Sequence, residues 1–68
     1  MSLLSIATRI VSVWNNSPLQ TPVFYTGVRA DVALAVGVAP NNAVFHAAFD
    51  VLDWYQSGDG LLYCSLPD

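Results

Sequence analysis

A small α+β domain, mainly helical, is predicted for this chain by three observations. Apolar residues recur at helical spacing in two long stretches, about residues 3–14 and 42–56, and less regularly over about 28–37. Two short runs rich in branched and aromatic residues, about 23–26 and 61–66, read as strands. Clusters of Asn, Ser, Pro and Gly separate these stretches, and 68 residues suffice for one domain, 1–68.

The first helix begins after Ser2, a residue type suited to capping. Leu3, Ile6, Ala7, Ile10, Val13 and Trp14 form one face, with Leu4 and Val11 at its edge, while Ser5, Thr8, Arg9, Ser12 and Asn15 gather opposite. As a strand the alternation would fail at Ile10 and Val11. Asn15, Asn16, Ser17 and Pro18 end the helix, because the residue before a proline is pushed out of the helical region.

Val23, Phe24, Tyr25 and Thr26 follow Pro22, a residue tolerated at the start of an edge strand. Gly27 then permits a change of direction. In VRADVALAVGV, residues 28–38, Val28, Val32 and Val36 repeat every four residues beside Leu34. A short helix over about 28–37 is the reading, although so many valines also suit a buried strand.

Asn41 or Asn42 caps the next helix, about 42–56. Asn42, His46, Asp50 and Asp53 fall on one polar stripe; Val44, Phe45, Ala48, Phe49, Val51, Leu52 and Tyr55 lie opposite, with Ala47 and Trp54 widening the apolar arc. One neighbour cannot bury so wide an arc, so this stretch is expected to be the central helix. Ser57, Gly58, Asp59 and Gly60 form a turn, and Leu61 to Leu66 form a closing strand. That strand is expected to pair with 23–26, bringing Tyr25 near Tyr63.

Composition narrows the function classes. The chain is 54% hydrophobic and 10% charged, against roughly 25% charged in ordinary soluble domains. Part of its surface is therefore expected to be covered, by another protein or by copies of itself. It has neither Lys nor Glu, and its net charge is -3. Arg9 and Arg29 are too few for the phosphate contacts of nucleic-acid binding. The run from Val32 to Pro40 is too short to span a bilayer, and the first helix lacks the basic flank of a membrane-surface helix. A cytoplasmic location is the expectation. Cys64, a lone cysteine in an apolar run, reads as buried, and no disulfide, metal or cofactor is expected.

Asp31 to His46 resembles a helix-turn-helix in its spacing, with Ala33, then Gly37 four later, then Val38 and a second helix. It departs from that pattern at Ala43, where a branched apolar residue belongs, and its second helix offers Asn41, Asn42, His46 and Asp50 to a groove that favours basic side chains. The resemblance implies two helices joined by a tight corner more than it implies DNA reading.

Two candidate sites remain. His46, Asp50 and Asp53 share the polar stripe, so a carboxylate, that of Asp50, lies one turn from an imidazole, a spacing that can orient a histidine as a base. Trp14, Tyr25, Trp54 and Tyr55 belong to a set of eight aromatics, more than a small core readily encloses, and aromatics are favoured at interface centres. The favoured expectation is a non-enzymatic interaction module, of a size and composition suited to a small viral or phage accessory factor that binds and modulates, for example inhibits, another protein. The alternatives are a structural subunit of a homo-oligomer or larger assembly, and a small oligomeric enzyme using His46 and Asp50.

Overall fold

The computed structural model describes residues 2–67, which form three helices followed by a two-stranded antiparallel sheet. Helix α1 spans Leu3–Asn15. Ser2, extended at φ -108° and ψ 156°, accepts the Ser5 N–H through its hydroxyl and starts it. Ile6, Ala7, Ile10 and Trp14 are buried along one face, as the spacing predicts. The chain turns off at Asn16 and Ser17, whose N–H groups both donate to the Trp14 carbonyl.

Helix α2 spans Val28–Val36, which settles the helix-or-strand ambiguity of its valines. Val28, Val32, Ala33 and Val36 are buried. Gly37 ends the helix at φ 93°, and the N–H groups of Gly37 and Val38 both donate to the Ala33 carbonyl. This left-handed termination favours glycine because a Cβ there would crowd the backbone. The guanidinium of Arg9, from α1, donates to the Val36 carbonyl. A cation thus sits at the negative end of a helix that has no basic residue in its own last turn.

Helix α3 spans Ala43–Val51, capped by Asn42, whose side chain accepts the Phe45 N–H at 3.0 Å. It stops five residues short of the predicted 42–56. Leu52 turns to an extended conformation at φ -66° and ψ 148°, and Asp53–Gln56 form strand β1. Two interactions reward that break. The Trp54 indole N–H donates back to the Phe49 carbonyl at 3.0 Å, occupying an acceptor at the open end of the helix, and its ring enters the aromatic core. The stripe that placed Asp53 with His46 and Asp50 is therefore cut, since Asp53 lies on a strand.

Strand β2, Leu62–Ser65, pairs with β1 in the register Asp53↔Ser65, Trp54↔Cys64, Tyr55↔Tyr63 and Gln56↔Leu62. The expected partner segment, 23–26, is not a strand. The reason lies on the second edge of β2, which is already occupied. The Asn15 side chain satisfies both the N–H and the carbonyl of Cys64. The Trp14 indole donates to the Leu62 carbonyl at 2.9 Å, and the Leu62 N–H donates to the Thr21 carbonyl at 2.9 Å. No ladder positions remain there for residues 23–26, and Tyr25 and Tyr63 are not strand neighbours.

The hub is α1 and not, as the wide apolar arc suggested, the stretch beginning at Asn42. Helix α1 packs against α3, α2 and β2, whereas α3 meets α1 extensively and α2 only slightly. The helix-turn-helix corner thus reduces to two helices joined at Gly37–Asn42, each docked chiefly on α1. Ile6, Ile10, Trp14, Val32, Phe45 and Cys64 are the largest fully buried side chains, and they come from all three helices and β2. The wide arc of 42–56 is explained by its being two elements, α3 burying one face and β1 turning only Trp54 partly inward.

Candidate interaction surface

The aromatic residues lie in a graded series from core to surface. Trp14 is fully buried and meets Trp54 edge to face, with ring centroids 5.5 Å apart and an interplanar angle of 83°. Trp54 is half-buried, with the Phe49 ring at 4.8 Å and the Phe24 ring at 5.1 Å. Phe24 closes the series outward: it touches Trp54 and Phe49, yet is 46% exposed, and its neighbour Val23 is 68% exposed. Edge-to-face contacts of this kind add about 0.5–1.5 kcal/mol beyond area burial. They hold Phe24 as a positioned apolar group on a loop instead of a freely moving one.

Of the four aromatics expected at an interface, one, Tyr55, is exposed; Tyr25 and Trp54 are half-buried and Trp14 is buried. Trp14 is a core residue, fully buried with its indole N–H donating to the Leu62 carbonyl of β2. Tyr25 packs partly against the core and donates its hydroxyl to Asp31 at 3.0 Å across the start of α2. Partial desolvation, with the Asp31 carboxylate as acceptor, raises its pKa above 10.0. Trp54 lines the inner face of β1 beneath Phe24. Tyr55, on the outer face, is 49% exposed and stacked on Tyr63 at 6.3 Å.

Phe24 and Val23 are surface residues that composition and helical spacing do not single out. A signal was present. Pro22 and Gly27 bracket them, and an aromatic on an irregular segment between such residues has fewer neighbours to bury it than one on a helical face.

The His46 stripe is dispersed in the structure. His46 Nε2 lies 2.8 Å from the Pro40 carbonyl, which only accepts, so the proton is on Nε2 and the ring braces the corner before α3. Asp50 is ion-paired with Arg29, whose guanidinium lies 4.6 Å from the Phe49 ring centroid. Asp53 is exposed on β1. Imidazole and carboxylates therefore serve three separate places, and among the described residues no group of His, Cys, Asp and Glu has the arrangement to hold a metal ion. Cys64 is buried, and desolvation pushes its thiol up to about 12, well away from the thiolate form that nucleophilic chemistry needs.

No family model, curated protein or solved structure matches this chain. Among the described residues, no helix is long and apolar enough to cross a membrane.

Proposed function

We propose that the chain is a non-enzymatic protein-interaction module that presents Val23, Phe24 and Tyr55, with the half-buried Trp54 beneath Phe24, to another protein surface and so modulates its partner, in the cytoplasm. The observation that carries this reading is the exposed Phe24, seated on the Trp54 and Phe49 rings, with the exposed Val23 beside it in sequence. An aromatic held in place by other aromatics loses little conformational entropy on binding, which is the condition under which such residues dominate interface energies. The separate commitments of His46 to Pro40 and of Asp50 to Arg29 favour this reading over a histidine-based enzyme.

The test is affinity capture from source cells with the chain as bait, beside Val23→Ser and Phe24→Ser. A protein retained by the parent chain and reduced about tenfold or more by either folded variant is the expected result. Equal recovery by all three baits overturns the assignment of this surface.

A further inference from the structure

The sheet has one satisfied edge and one open edge. Cys64 turns its N–H and carbonyl toward Asn15, so Trp54↔Cys64 is a non-hydrogen-bonded pair of the antiparallel ladder. By the alternation of such ladders, Trp54 and Gln56 turn their own backbone N–H and carbonyl groups away from β2. Among the described residues no other element packs against β1, and three of its four residues are exposed. The Gln56 side chain is tied to the Gly60 carbonyl at 2.8 Å, away from this edge.

We propose that a second copy of the chain pairs with this edge, β1 against β1, antiparallel about a two-fold axis at Tyr55. The inference rests on the interaction-module reading and names the partner for its β1 side. Register decides the geometry. With the axis at Tyr55, Trp54 of each copy faces Gln56 of the other, and all four outward backbone groups of each strand find complements. Moving the axis to Trp54 sets Gln56 against Leu52, outside the strand; moving it to Gln56 sets Trp54 against Gly58 in the hairpin turn. Charge selects the same register. An axis at Tyr55 places Asp53 opposite Ser57 and about 14 Å from its own copy, beyond the screening length of about 8 Å at physiological salt. An axis at Trp54 would halve that separation. The Tyr55–Tyr63 stack then continues as a four-tyrosine ladder across the outer face.

Light scattering after size exclusion, from micromolar to millimolar chain, tests this. The expected result is a mass rising from 7.3 kDa toward twice that value. Tyr55→Lys sets like charges against each other across the axis while leaving β1–β2 backbone pairing intact, and is expected to weaken association about tenfold or more. Tyr55→Cys is expected to form an interchain disulfide on oxidation, and Ser57→Cys is not, because its two copies lie far beyond bridging distance. If Tyr55→Lys does not fold, the cysteine pair still reads the register. A mass fixed at 7.3 kDa throughout, an association indifferent to Tyr55→Lys, or cross-linking through Ser57→Cys overturns the proposal. A fixed monomer leaves the Val23–Phe24 reading standing or falling on affinity capture alone.

Discussion

The side-chain amide of Asn15 clasps the backbone of Cys64, donating from Nδ2 to the Cys64 carbonyl at 2.8 Å and accepting the Cys64 N–H on Oδ1 at 3.0 Å. One side chain at the end of α1 thereby stands in for a missing strand beside β2. It occupies the ladder position that a strand at 23–26 would have needed, and it ties the last element of the chain to the first.

Removing that clasp is expected to be costly because Cys64 is buried and its backbone groups have no access to water. Two lost hydrogen bonds, each leaving an unsatisfied group, amount to about 2–3 kcal/mol for Asn15→Ala. Asn15→Asp keeps the acceptor, loses the donor and sets a carboxylate against the Cys64 carbonyl, so it is expected to be no better. Urea denaturation measures both. A change below about 0.5 kcal/mol in Asn15→Ala would mean that the amide does not hold β2.

Gly37 offers a cleaner backbone test. Its φ of 93° is strained for any residue with a Cβ, whereas the space around it is ordinary: an added Cβ would lie 3.5 Å from Arg9 Nη2. Gly37→Ala should therefore destabilise by about 1 kcal/mol through conformation alone. Arg9→Met removes the cation from the end of α2 and is expected to cost about 0.5–1 kcal/mol, an effect that added salt diminishes. If Gly37→Ala matches the parent in thermal denaturation, the left-handed termination is not needed.

The hairpin carries a pH-sensitive contact. The Tyr63 hydroxyl donates to Asp59 Oδ2 at 2.6 Å, and the Leu61 N–H donates to Asp59 Oδ1 at 3.0 Å. These bonds, that from Tyr63 first, lower the Asp59 pKa below 3.8; the same bond to Asp59 is the main cause raising Tyr63 above 10.0. For Asp59 the folded value lies below the unfolded one, so its contribution is present above 3.8 and is lost as pH falls through the folded value. For Tyr63 the folded value lies above the unfolded one, so its contribution is present below 10.0 and is lost as pH rises through the folded value. NMR titration is expected to show the Tyr63 ring and Leu61 amide responding together on the acid side. Tyr63→Phe should abolish most of the Asp59 depression; an unchanged Asp59 titration in that variant would sink the assignment.

Much of the fold was legible because local patterns and tertiary demands agree. Helix α1 was readable from Ser2 and the Ile6–Ile10–Trp14 spacing, and the ends of α2 from Gly27 and Gly37. The failures occur where a residue's partner is distant in sequence. Trp54 continues the apolar arc of α3 on a helical wheel, and nothing local says that its indole N–H will return to Phe49 or that Cys64 will pair with it. Val23 to Thr26 have strand propensity but no edge left to join. The candidate surface divides the same way: Trp54 and Tyr55 were identifiable as aromatics in a charge-poor chain, but which of the eight rings face outward depends on their neighbours.

What the sequence determined by itself was the class of fold, the first helix with its Ser2 cap, the turns at 15–18, 27, 37 and 57–60, and a charge-poor composition. These are local or additive properties, set by side-chain periodicity, backbone stereochemistry and counts of residues. Only the tertiary structure decided that α1 is the hub, that α3 yields to β1 at Leu52, and that Trp14 lies inside while Phe24 lies outside. Each of these is a competition between alternative partners for the same group. The winner is set by which buried N–H and carbonyl groups would otherwise go unpaired, a condition that exists only once the distant segments have met.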